Sequence, residues 1–297
     1  MPLSLWHYNG SFNIYNNNKK FKGGEAVTFQ VSTLSQQDFV MIQITDTHLL
    51  EYPHLEFVGM QPEQSFQAVI ELMRQQHPQI DLIVHTGDVA QTPTPITYNR
   101  YLQQMQGLGI PFFQTPGNHD DVAHFPFHEN DPNQPTVIEL GKWCIILLNS
   151  AQPERIDGKI SAFQLQQLTE LLTQFDDRFI ILACHHHPFA MQSAWIDQHK
   201  LKNSSDLLET IHPFSNVKAI ICGHVHQNSL HVWQGIDFLS TPSTCIQFKP
   251  NSDKFALDEA YPGYRYICLK ANGELETQVY RLSTCQRNNS SEVLGYD

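Results

Sequence analysis

From residue 39 onward the 297-residue sequence reads as an α/β protein in which a second sheet packs on the first. Two observations predict this. Short apolar runs alternate with helical periods as far as residue 228, and beyond that point the text is strand-like only. A third observation points to function, because potential ligands follow five of the strands.

In chain order, residues 1–38 come first. They include "YNNNKKFKGGEA", are rich in Asn, Lys, Gly and Ser, and show no sustained period, so they are expected to form a loosely structured extension. Strands are predicted at 39–45, 80–86, 110–115, 143–148, 179–185 and 217–222, each of ordinary strand length and mostly rich in Ile, Val, Leu or Phe. Between the first two lies "PEQSFQAVIELMRQQ", where Phe66, Val69, Ile70 and Met73 recur at three and four and predict a helix. "SAFQLQQLTELLTQF" does the same with Leu165, Leu168, Leu172 and Phe175, and Ser161 with Gln164 forms a capping-box signal. The strand-like stretches "SLHVWQGIDFLST", "YRYICLK" and "ELETQVYRL" supply the second sheet. No repeat or linker divides the core, so residues 39–282 are expected to form one domain, followed by a tail at 283–297.

The composition is that of an ordinary globular chain, 41% hydrophobic. Lys and Arg total 18 against 30 Asp and Glu, a formal charge of −12, which argues against a nucleic-acid partner held by its phosphates. No apolar stretch approaches the ~20 residues that cross a bilayer, so no membrane partner is expected. The first 38 residues lack the pattern of a secretory signal, and the expected location is the cytoplasm. The six cysteines mostly fall inside strand-like runs without Cys-x-x-Cys spacing, which fits a reducing compartment. Oligomeric state leaves no signal in the sequence.

The 16 histidines are clustered rather than scattered. "QITDTH" puts Asp46 and His48 after the first strand, and "VHTGD" puts Asp88 after the second. "QTPGNHD" follows the third with Asn118, His119 and Asp120; "ACHHHP" and "ICGHVH" end two more, the latter with His224 and His226. In an open α/β sheet the carboxyl ends of the strands deliver their last residues to one crevice. In an extended segment residues two apart project to the same side, which would aim Asp46 with His48 and His224 with His226. Asp, Asn and neutral His together suit Mn, Fe, Zn or Co.

This order of motifs, D-x-H, G-D, G-N-H-D, H-H-P and G-H-x-H, resembles the calcineurin-like metallophosphoesterases. Within them the chain is similar to bacterial class III cyclic-AMP phosphodiesterases from about residue 39 to about 282, including "WIDQHKLKN", "STPSTCIQFKP" and "YPGYR". The resemblance implies a four-layer α-β-β-α sandwich of two mixed sheets. It implies two divalent transition metals, Fe²⁺ or Mn²⁺ before Zn²⁺ or Co²⁺. One would be held by Asp46, His48, Asp88 and His226, the other by Asp88, Asn118, His186 and His224. His186 is chosen because the family ligand precedes its proline by two, and strand alternation would turn His185 and His187 away.

The activity implied is hydrolysis of 3′,5′-cyclic AMP to 5′-AMP, with a hydroxide bridging the metals as nucleophile. The alternatives are another small phosphodiester, a phosphoprotein, or a non-catalytic scaffold of the same fold. His119 is the candidate acid for the leaving oxygen, with Asp120 to orient its imidazole. His48, Asn118, His119 and His226 are the expected phosphate contacts. The segments after the His186 and His224 motifs bring Trp195, His199, Asn203, Thr244 and Phe248 forward as candidates for reading adenine, Trp195 by stacking and Asn203 through its amide.

Overall fold

The computed structural model describes residues 13–21, 24–32, 38–127 and 131–285. The chain opens with β1 (Asn13–Phe21), β2 (Gly24–Ser32) and β3 (Phe39–Ile44), followed by α1 (Pro62–Gln76), β4 (Leu82–His85), α2 (Pro95–Gly107) and β5 (Phe112–Gln114). Then come β6 (Thr136–Leu140), β7 (Trp143–Leu147), α3 (Ala162–Gln174), β8 (Phe179–Ala183), the short helices α4 (Ala194–Asp197) and α5 (Ser204–Ile211), and β9 (Val217–Cys222). The strand-only end supplies β10 (Ser229–Trp233), β11 (Ile236–Ser240), β12 (Gly263–Leu269) and β13 (Leu275–Arg281).

These strands form two mixed sheets, one ordered β1-β2-β6-β7-β8-β9-β11-β10 and the other β13-β12-β3-β4-β5. Side chains alternate across each strand, so each sheet has two apolar faces. On β7, Cys144 and Ile146 pack on one side while Trp143, Ile145 and Leu147 pack on the other, with Met41, Leu82 and Ile267 of the smaller sheet. Leu168, Leu171 and Leu172 of α3 with Leu207 and Ile211 of α5 cover the larger sheet. Phe66, Val69 and Met73 of α1 with Tyr98, Tyr101 and Met105 of α2 cover the smaller one. The result is the four-layer sandwich the sequence resemblance implied.

A polar clamp ties the sheets together at their centre. The fully buried Gln43 amide of β3 donates to Cys222 O of β9 at 3.0 Å and to Thr86 Oγ1 at 2.9 Å, and its carbonyl accepts from Thr241 Oγ1 at 2.6 Å. Both ends of the amide are satisfied, which is what allows it to be buried.

Four features depart from expectation. The strand-only end does not form the second sheet by itself: β10 and β11 extend the larger sheet from β9, and β12 and β13 extend the smaller from β3, because the parallel strands leave an edge of each sheet open to pairing. Residues 13–21 and 24–32 are not loose: β1 and β2 pair antiparallel, and β2 adds in parallel to β6. The physical reason is that Phe29 and Val31, two apart, bury one strand face, with Phe29 5.1 Å from Phe113. The capping box of α3 is half made, because Ser161 accepts from Gln164 N at 3.2 Å while the Gln164 side chain pairs with the Asn149 backbone. Helix α2 has no counterpart in the sequence reading, since two of its three buried core residues are tyrosines. The tail lies outside the described residues from 286 onward.

Candidate metal centre

Strands β3, β4 and β5 run parallel, as do β8 and β9, so five carboxyl ends meet at one seam between the sheets. The chain leaves each strand abruptly. Asp46, His48, Asp88, His224 and His226 have φ of 54°, 50°, 53°, 68° and 50°, all in the left-handed region. Non-glycine residues held there cost of order 1–3 kcal/mol each and persist only where the surroundings force them. Asp46 N donates to Gly87 O and His48 N to Asp88 O, which locks the first two turns together. Gly223 is needed for close approach, because a Cβ there would stand 2.0 Å from Thr45 Oγ1 and 2.7 Å from Asp46 Oδ2.

Three imidazoles are oriented in the same way. Nδ1 of His48 donates to Gln91 Oε1 at 2.9 Å, that of His226 to Ile246 O at 2.8 Å, and that of His185 to Thr86 O at 2.8 Å. An Nδ1–H spent on a fixed oxygen turns Nε2 inward, where a metal can take the place of any proton it carries. His226 Nε2 lies 3.3 Å from Asp46 Oδ1 and 3.2 Å from His48 Nε2, which in turn is 3.8 Å from Asp88 Oδ2. His185 Nε2 lies 3.3 Å from Asp88 Oδ2, 3.1 Å from Asn118 Oδ1 and 3.2 Å from His224 Nδ1. Asp88 therefore belongs to both groups. Asp46, His48 and His226 can bring one ligand atom each within 4.8 Å of one another, as can Asp46, Asp88 and His185.

The electrostatics favour added positive charge. Burial would raise both carboxylates, yet His226 beside Asp46 and His185 beside Asp88 hold them below the ordinary value. Burial would lower His185, but Asp88 and Asp46 outweigh it and push the imidazole up to about 9. His48, governed by burial, falls to about 3. Two buried carboxylates surrounded by inward-turned nitrogens, with His224 Nε2 buried and unpartnered among the described residues, fit divalent cations with borderline nitrogen and oxygen donors.

His185 does not turn away as alternation would require. Strand β8 ends at Ala183, and period two ends with it. His186 remains within reach of His185 and His224, but its nitrogens meet Ser150 Oγ at 2.8 Å and Ile156 O at 3.0 Å. His187 stacks on His224 at 5.6 Å and lies 3.6 Å from Asp197.

The remaining candidates divide. His119 is at the site, its backbone N donating to Asp88 Oδ1 at 2.9 Å and its ring edge-on to His48 at 5.1 Å. Asp120 serves the backbone instead of that ring. Its carboxylate accepts from the N–H groups of Val89, Ala90 and Gly117 and from Tyr98 Oη, all at 2.9–3.1 Å, and burial pushes its pKa up to about 7. Trp195, His199 and Phe248 line the cleft over the donors together with Ile156 and Ile196. Asn203 and Thr244 do not line it. The Asn203 amide is occupied by both backbone groups of Ile160, at 3.1 and 2.9 Å, and Thr244 is fully buried under Ser65 and Thr45.

Two phenyl rings back the first donor group. Phe248 lies flat on His226, 3.9 Å between centroids and 11° between planes, and Phe57 stacks on His48 at 5.1 Å and 24°. Phe57 carries no motif signal. Its loop, residues 49–60, shows no period to mark it.

The calcineurin-like phosphoesterase family model matches residues 39–228. Among curated relatives, the 3′,5′-cyclic adenosine monophosphate phosphodiesterase CpdA of Vibrio vulnificus is 39% identical over 85% of this chain and 93% of its own. The protein of the same name from Escherichia coli is 36% identical over 86% and 94%. Among solved structures, purple acid phosphatase PPD1 from yellow lupin aligns with a TM-score of 0.64 at 12% identity, covering 89% of this chain and 55% of that one. A dimetal phosphatase from Danio rerio aligns at 0.53 and 15%, covering 82% and 99%. Those two likenesses are of fold alone.

Proposed function

The chain belongs to the calcineurin-like phosphoesterases, and from that membership we propose that it is a dinuclear-metal phosphodiesterase hydrolysing 3′,5′-cyclic AMP to 5′-AMP. The observation that carries the reading is Asp88, one carboxylate shared by two donor groups at the seam of the sheets. The choice of cyclic AMP rests on relatives of that name that match almost end to end.

We assign Asp46, His48, Asp88 and His226 to one ion. Asp88, Asn118, His185 and His224 are assigned to the other, with His185 preferred to His186 because its Nε2 faces the Asp88 and Asn118 oxygens, whereas that of His186 meets Ile156 O. Fe²⁺ or Mn²⁺ suits these donors, as do Zn²⁺ and Co²⁺. Bound there, the ions would lower the pKa of water and offset the charge of the phosphate. The chain's own residues do the rest. Water adds to phosphorus, the bond to the 3′ oxygen breaks, and that oxygen must gain a proton. His119, buried and held below its ordinary value and so neutral at rest, takes up the proton that the attacking water loses and passes it, as imidazolium, to that oxygen. The buried thiols of Cys184, Cys222 and Cys268 support a cytoplasmic enzyme.

Purified protein assayed on cyclic AMP and on bis(p-nitrophenyl) phosphate tests this. Mn²⁺ should support both activities and chelation abolish both. His119→Ala should lower kcat on cyclic AMP by roughly 10²- to 10⁴-fold and less on the aryl ester, whose leaving group needs little protonation. Turnover by a verified metal-free sample would overturn the mechanism, and a metal-loaded enzyme inactive on cyclic AMP would overturn the substrate.

A further inference from the structure

We propose that Trp195 holds the nucleoside half of the substrate through its indole N–H and not through its ring face. The inference rests on the cyclic-nucleotide reading above and concerns how that substrate is gripped. Trp195 is fixed in place. It sits in α4, whose Asp197 carboxylate accepts from Met191 N at 2.6 Å and Ser193 N at 3.2 Å, and Ser193 Oγ in turn accepts from Ser252 N at 3.1 Å. The residue is 8% exposed, and its ring packs nearly at right angles to Phe248 at 4.9 Å and Phe255 at 5.1 Å. So little exposed ring leaves no open face for a purine to stack on.

What the ring does leave is a donor. Its Nε1 is buried with no hydrogen-bond partner among the described residues, whereas the other buried tryptophan, Trp143, donates from Nε1 to Lys270 O at 2.9 Å. A buried indole N–H ordinarily finds an acceptor. Trp195 also lines the cleft together with His48, Asp88, Asn118, His119, His224 and His226, so a substrate seated there brings an acceptor beside the indole, and a small side-chain shift uncovers the N–H to meet it. The wall it shares with Ile156, Ile196 and Phe248 is apolar, unsuited to the charged phosphate and suited to a nucleoside. The acceptor is accordingly an oxygen or ring nitrogen of the nucleoside.

The test is Trp195→Phe, which keeps an aromatic ring against Phe248 and Phe255 and deletes the N–H. KM for cyclic AMP should rise about three- to tenfold, the range of one neutral hydrogen bond, with kcat little changed. Turnover of bis(p-nitrophenyl) phosphate, which has no nucleoside, should fall distinctly less than turnover of cyclic AMP. A parallel loss on both substrates, or an unchanged KM for cyclic AMP, would overturn the proposal. A second readout needs no folded variant: in ¹⁵N-tryptophan spectra of the zinc-loaded protein, one of the four indole N–H resonances should shift on titration with 5′-AMP and not with inorganic phosphate. No such shift at saturating 5′-AMP would overturn it as well. Failure of the wild-type enzyme to hydrolyse cyclic AMP would strike the substrate reading instead, and the two failures are told apart by that control. Among active enzymes, 2′-deoxy and 7-deaza analogues of cyclic AMP divide ribose from base as the source of the acceptor, since the substrate lacking the acceptor should no longer distinguish Trp195→Phe from wild type.

Discussion

Asp46, His48, Asp88, His224 and His226 share a backbone conformation that their side chains do not explain. The spacing D-x-H and H-x-H was legible in the sequence, and the convergence it implied is found. The reason differs, because these residues lie beyond the strand ends and pair up by successive left-handed turns rather than by extended alternation. Period two therefore misjudged His185, which follows β8 by two residues. No local signal encodes φ > 0 for an aspartate or a histidine, since the turn is imposed by partners such as Gly87 O and Asp88 O. The strain is measurable without metal or activity. In metal-free protein His226→Gly should be more stable than His226→Ala by about 1 kcal/mol, because glycine adopts positive φ freely, and Tm should differ by about 1–2 °C. Equal melting temperatures would mean that the turn relaxes and holds no strain.

The elements that bear the donors were legible because strand ends carry motifs, while those that support the donors were not. The 49–60 loop is the clearest case. It brings Phe57 onto His48, and its path is set by Arg100 of α2, half-buried, which donates to Leu50 O, to Glu51 O at 2.8 Å and to Glu63 Oε2 at 3.0 Å. Neither the loop nor α2 has a periodic apolar pattern strong enough to read. The sequence shows Arg100 only as one charge among many. Its contact with two carbonyls of the loop makes it a support for a metal ligand at one remove, and outer contacts of this kind are worth 10- to 100-fold in metal affinity. Arg100→Ala is expected to weaken Mn²⁺ binding about tenfold by titration calorimetry with far-UV circular dichroism unchanged. Wild-type affinity in the variant would leave Arg100 a role in the loop alone.

At the scale of the molecule, strand alternation predicted an α/β fold and the resemblance gave the two sheets and the layers, but the strand-only end is shared between both sheets and forms neither alone. The β1-β2 pair escaped because an Asn- and Lys-rich first strand hides the short pattern of Phe29 and Val31. The seam between the sheets has a further consequence, for the order of events in folding. His224 N donates to the Asp46 carboxylate across 178 residues, and Thr241 Oγ1 to Gln43 across 198. Contacts this distant in sequence require large loop closures and tend to form late. A donor set straddling them has no partial version on either sheet alone, so the transition state for folding should precede the metal site. Interactions absent from the transition state act on unfolding alone. In stopped-flow chevrons, Mn²⁺ at a thousand times its Kd should therefore slow unfolding by up to a thousandfold per ion while the refolding arm stays where it is without metal. Acceleration of refolding by the ion would show instead that the two sheets meet before the rate-limiting step, with the cation as a nucleus around which the chain assembles.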